Sequence, residues 1–108
     1  MKLENTKAQM RKGILEYAVL LTLQKGEFYP SELIASLKES KMIVVEGTLY
    51  PMLTRLKNAG LLSYHWKEST MGPPRKYYHM TENGKIFLLE LETTWNSLQT
   101  AIKKLQKK

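Results

Sequence analysis

The apolar positions of this chain change period twice. From about Met10 to Gln24 they follow no single stripe: Leu15, Ala18, Val19, Leu21, Thr22 and Leu23 cover more than one face. That pattern predicts a central core helix rather than a surface one. Lys25-Gly26 ends it, with glycine at the usual stop position. Pro30 then opens a second helix, PSELIASLKES. Proline fits a first helical turn, Glu32 complements the positive end of the helix dipole, and Leu33, Ile34 and Leu37 form the buried stripe. After the connector KMIVV comes TLYPMLTRLKNAGLL, Thr48 to Leu62, in which Leu49, Met52, Leu53, Leu56 and Ala59 recur at helical spacing and Gly60 marks the stop. A start near Glu46 to Thr48 puts Pro51 at about the fourth or fifth helical position. The N–H it lacks would have at most one intrahelical partner there, so the penalty is small.

Beyond Gly60 the period drops to two. Leu62, Tyr64 and Trp66 alternate with Ser63, His65 and Lys67, which predicts a strand. STMGPP reads as a loop, RKYYHMT as the returning strand, and Thr81 as the cap of a long last helix with Glu82 in its first turn. In that helix Leu88, Leu91, Trp95, Leu98, Ile102 and Leu105 follow in steps of 3, 4, 3, 4 and 3, a coiled-coil seam that must pack either back on its own domain or on the same helix of a second subunit. The expected fold class is α+β, mainly α with a small β-hairpin. It is a winged helix-turn-helix with a long C-terminal dimerisation helix. Residues 1–81 would form the DNA-binding domain. Residues 82–108 would form the dimerisation helix and a basic tail.

In this arrangement the third helix is the recognition helix. With Leu49, Met52, Leu53 and Leu56 inward, Thr48, Tyr50, Pro51, Thr54, Arg55, Lys57 and Asn58 face out. Hydroxyls can bond phosphate oxygens, arginine can pair with a guanine edge, and a threonine methyl can touch thymine. On the hairpin, Thr70, Gly72, Arg75 and Lys76 are the expected DNA contacts of a stiff, basic tip. Trp95, in the middle of the seam, anchors the dimer core. A flat ring near a two-fold axis can also leave a slot for a flat apolar effector.

Composition narrows the partners. The chain has 108 residues, 17 Lys+Arg against 10 Asp+Glu, and a formal charge of +7, which points to an anionic partner, nucleic acid before a membrane surface. Cysteine is absent, which excludes disulfides, thiolate catalysis and cysteine zinc sites. The most apolar run, Ile14 to Leu23, contains Glu16 and is short of the about 20 residues a bilayer needs; a cytoplasmic protein without a membrane partner is expected. His65 and His79 are read as strand-surface residues, since two imidazoles make no zinc site by themselves. With no Gly-rich phosphate loop, nucleophile elbow or carboxylate pair, no catalytic residue, metal or cofactor is assigned.

The stretches TLYPMLTRLKNAGLL and GPPRKYYHMTENG together resemble the PadR family of bacterial winged-helix transcriptional regulators. The family pattern is TLYP-x-L-x-RL-x-x-x-GL followed by G-P-x-RKYY-x-LT-x-x-G. It is matched by Thr48, Leu49, Tyr50, Pro51, Leu53, Arg55, Leu56, Gly60 and Leu61, then Gly72, Pro73, Arg75, Lys76, Tyr77, Tyr78, Thr81 and Gly84. The likeness runs from about Leu15 to Leu105. Met80 replaces a leucine, and Pro30-Ser31 stand before Glu32 where the family commonly has Gly-Tyr. One C-terminal helix places the chain with the short branch. The resemblance implies a homodimer, built by the last helix with the partner's first helix, on a palindromic double-stranded DNA operator. It also implies a repressor whose DNA binding a small molecule changes. A winged-helix module that binds protein instead of DNA is the competing expectation, and salt dependence separates the two.

Overall fold

In the computed structural model, which describes residues 1–107, six elements follow in chain order. They are α1 (Leu3–Leu23), α2 (Pro30–Glu39), α3 (Glu46–Asn58), β1 (Leu62–Ser69), β2 (Gly72–Met80) and α4 (Glu82–Gln106). This is the expected winged helix-turn-helix: α2 and α3 form the helix-turn-helix, and β1 pairs antiparallel with β2 as the wing.

Two element boundaries differ from expectation. Helix α1 begins at Leu3, not near Met10. Its first turns are exposed all round, so no apolar period marks them. Good helix formers and a Glu4–Lys7 pair at 3.7 Å one turn apart carry the helix instead. The hairpin differs more. STMGPP is not a loop: Ser69 pairs with Gly72, so Thr70-Met71 alone make the turn, and Pro73 and Pro74 lie inside β2. The ladder is irregular between Lys67 and Ser69, where Glu68 stands opposite both prolines. Bulges in an edge ribbon are where a sheet tolerates residues that cannot donate.

The core gathers one stripe from each element. Val19 and Leu20 of α1, Leu33 of α2, and Leu49 and Leu53 of α3 are fully buried, with Leu56, Leu62, Tyr78 and Leu88 closing around them. Truncating any of these leucines to alanine would cost about 2–5 kcal/mol. Helix α3 stops by a Schellman motif. Gly60 takes φ +80°, its N–H donates to the Lys57 carbonyl, and the Leu61 N–H donates to Leu56 at 3.0 Å. That turn is clamped to α4. The Thr81 hydroxyl donates to the Gly60 carbonyl at 2.7 Å and accepts from the Gly84 N–H at 3.0 Å, capping the helix as expected. Gly84 lies so close to the Leu61 carbonyl that a Cβ there would sit 2.1 Å from the oxygen.

The first turns of α4 therefore belong to the same core, and Leu88 is filled by its own chain. Farther along, Leu91 and Trp95 are half-buried, with Trp95 6.4 Å from the Tyr17 ring of α1. Leu98, Ile102 and Leu105 are 54%, 52% and 79% exposed. The Cα radius of gyration is 15.8 Å, against about 13 Å for a compact domain of this length, because the ends of α1 and α4 project. No helix of the described residues is long and apolar enough to cross a membrane.

Candidate nucleic-acid interface

Helix α3 offers three strips beside its buried one. Helical periodicity puts Gly47, Pro51, Thr54 and Asn58 directly opposite Leu49, Met52, Leu53 and Leu56. Tyr50 and Lys57 flank this strip on the wing side: the Lys57 ammonium is 5.8 Å from the centre of the Tyr64 ring. Thr48 and Arg55 flank it on the α1 side. Arg55 Nη2 lies 3.3 Å from Glu16 Oε1, and Thr48 borders a groove with Arg11 and Lys12. Pro51 stands one or two residues deeper than expected. The helix starts at Glu46, where the Thr48 and Leu49 N–H groups both donate to Val45 at 3.0 Å. Pro51 is thus its sixth residue, and the N–H it lacks would have bonded the Gly47 carbonyl. Both residues are exposed, so water can serve that carbonyl and the cost stays small.

The wing's two cations are neighbours on β2, where strand alternation starts their side chains on opposite faces, yet both reach the cleft between wing and α3, and each is held over an aromatic ring. The Arg75 guanidinium sits 4.3 Å from the centre of the Tyr29 ring. The Lys76 ammonium sits 4.5 Å from the Tyr64 ring and 5.3 Å from the Trp66 ring. Such cation–π contacts fix a charge without neutralising it. Neither cation is in an ion pair among the described residues. Thr70 and Gly72 are exposed at the tip, whose projecting side chain is Met71.

Between wing and α3 runs an open cleft of about 460 Å³. Arg75 and Lys76 border it with Tyr29, Ser31, Tyr50, Thr54, Tyr78 and the exposed Trp66, and among the described residues no carboxylate lines it. Hydroxyls, N–H donors and two free cations on an aromatic floor suit a polyanion backbone. Tyr29, Ser31 and Trp66 were not foreseen as site residues. For Trp66 the signal was present, since alternation puts it on the α3 side with Tyr64. Tyr29 and Ser31 reach the cleft only through the pairing of distant segments.

That pairing anchors the wing. Phe28 bridges to Tyr78 through two backbone hydrogen bonds of 3.0 and 2.8 Å. Next to it, Glu27 accepts from the Lys67 ammonium, and its Oε2 lies 3.0 Å from His65 Nε2. The hydrogen bond from Lys67 holds the Glu27 carboxyl below its usual range, and the same bond raises the Lys67 ammonium. The His65 and His79 rings are 5.8 Å apart on this face. Among the described residues no group of three His, Cys, Asp or Glu side chains is gathered to hold a metal. On α1, burial pushes the Tyr17 hydroxyl up, and the nearby Glu92 of α4 adds to the shift.

Residues 19–90 match the model of the transcriptional regulator PadR-like family. Three solved structures are similar over nearly the whole chain. A PadR-like transcription factor from Bacteroides fragilis is 57% identical, covering 94% of this chain and 98% of that one with a TM-score of 0.79. A PadR-like transcriptional regulator from Bacillus cereus is 36% identical, with coverage of 93% and 99% and a TM-score of 0.81. A PadR family transcriptional regulator from Eggerthella lenta is 33% identical, with coverage of 97% and 88% and a TM-score of 0.84. Fold, helix-turn-helix sequence and wing sequence agree: this chain belongs to the PadR-like family of transcriptional regulators, and is not an enzyme.

Proposed function

We propose that the chain is a homodimeric repressor that binds a palindromic double-stranded DNA operator in the cytoplasm. Residues 1–81 read the DNA, and residues 82–108 hold the dimer. The outward strip of α3 enters the major groove, with Pro51 and Thr54 central and Thr48, Tyr50, Arg55 and Lys57 at its margins. The wing, with Thr70, Gly72, Arg75 and Lys76, follows the backbone beside it. The observation that carries this reading is the cleft between α3 and wing: among the described residues it gathers two cations outside any ion pair, five hydroxyl-bearing side chains and no carboxylate. Repression needs no further surface, because occupancy of a promoter is enough.

Dimerisation is supported by the exposed end of the α4 seam, Leu98, Ile102 and Leu105, continuous with Leu91 and Trp95. A solvated apolar seam of this length is unfavourable, and a two-fold partner removes it from water. It also sets two recognition helices at a fixed separation, about 34 Å for half-sites one helical turn apart. A flat apolar effector seated beside Trp95 would act by favouring one dimer geometry over another. A gel shift at low salt on the DNA upstream of the chain's own gene tests the DNA reading. Retarded bands that survive scrambled competitor are expected, and no band at all defeats it. Tryptophan fluorescence of a Trp66→Phe protein, titrated with planar aromatic compounds, tests the effector site. A saturable change in Trp95 emission is expected.

A further inference from the structure

Among the described residues, Arg55 is the one recognition-helix cation with a carboxylate partner. Its guanidinium lies 3.3 Å from Glu16 through Nη2 alone, and 62% of its side chain stays exposed. A guanidinium carries five N–H donors, so one contact leaves an edge free for a base. Helical side chains lean toward the N-terminus of their helix. From the tenth residue of α3 the Arg55 side chain is thus carried back toward Pro51 and Thr48, the end that enters a groove. Glu16 sits on α1 one turn before the fully buried Val19 and Leu20, which anchor that part of the helix in the core.

The pair contributes little to stability. Both partners are solvated, and exposed ion pairs are worth about 0–1 kcal/mol. An acidic side chain beside a DNA-reading surface also costs affinity for a polyanion. What it supplies is orientation: one fixed direction for a side chain that otherwise samples many rotamers. We infer that Glu16 is a positioning residue for DNA recognition, holding the Arg55 guanidinium in the orientation that reads a base edge. This rests on the DNA-reading role of α3 proposed above.

The test uses the full-length protein and a duplex selected by it from a randomised pool. Failure of the wild-type protein to enrich any sequence defeats the underlying proposal before any variant is made, and this inference with it. Given an enriched duplex, affinity is measured for it and for all single-base-pair replacements. Arg55→Ala identifies the base pair that Arg55 reads. Glu16→Gln is expected to lower discrimination at that same base pair about two- to fivefold, the size of effect an exposed ion pair can supply. Its non-specific affinity at low salt should be unchanged or higher and its melting temperature close to wild type. The Glu16→Gln, Arg55→Ala double variant should discriminate no worse than Arg55→Ala alone. Glu16→Asp keeps the charge but shortens the reach, so it should lose discrimination as well. Full discrimination in Glu16→Gln, losses at a different base pair that add to those of Arg55→Ala, or wild-type behaviour in Glu16→Asp would each overturn the inference.

Discussion

The two ends of this molecule expose opposite kinds of side chain. Around α3 and the wing, the exposed groups include hydroxyls, cations and rings, and three of the cations each have a neighbour: Arg75 over Tyr29, Lys76 over Tyr64, Arg55 against Glu16. Along the second half of α4, Leu98, Ile102 and Leu105 lie exposed as an apolar stripe beside polar neighbours such as Asn96, Thr100 and Lys103, and none of the described residues covers that stripe. Fixed polar groups in water have had their conformational cost met in advance and gain when an anion arrives. Solvated leucines gain only when apolar surface arrives. The contrast assigns different partners to the two ends, and Gly84, wedged on the Leu61 carbonyl, is the joint between them.

The largest effect should come from spoiling the apolar end. Leu98→Glu with Ile102→Glu leaves the core untouched, so circular dichroism should be unchanged while sedimentation shows monomers. Affinity for a duplex with two half-sites should then fall by about 10²–10⁴, the loss of avidity. Next is the joint itself. Gly84→Ala forces a Cβ into the Leu61 carbonyl and should destabilise the fold by on the order of 3 kcal/mol, read as a lowered melting temperature. An unchanged melting temperature would mean that the two ends are not joined there.

Smaller effects sharpen the polar end. Arg75→Ala with Lys76→Ala should weaken binding evenly across DNA sequences and reduce the salt slope by about two. A change in sequence preference instead would make the wing a base reader. The smallest effect concerns the Glu27 tether. Lys67 keeps the Glu27 carboxyl below its usual range, so the unfolded chain takes up that proton more readily. The stabilisation is present above the ordinary carboxylate pKa and is lost as pH falls through the lowered folded value. Glu27→Gln should remove that part of the acid dependence of the melting temperature and leave neutral-pH behaviour close to wild type.

What was legible in the sequence follows from how far apart the interacting residues lie. The element order, the buried strip of α3, the Gly60 stop and the Thr81 cap are local patterns, and each is found in the fold. The wing tip differs from its sequence pattern because Gly72-Pro73-Pro74 is a breaker by composition. Only its pairing with β1 turns the two prolines into a bulge. Arg55 was placed on the exposed face, as it is, but its Glu16 partner is on another helix. The same holds for Glu27 with Lys67, for Phe28 with Tyr78, and for Tyr29 and Ser31 at the cleft. The first turns of α1 lacked any apolar period and so gave no signal.

The central claim is that the α3–wing end holds a DNA backbone. It is tested most directly by the salt dependence of binding to the duplex upstream of the chain's own gene, followed by fluorescence anisotropy. For a dimer making 6–10 phosphate contacts, affinity should fall along a straight line in log–log form, by about 10³–10⁵ between 50 and 200 mM salt. No binding at the lowest salt, or binding indifferent to salt, would contradict the account.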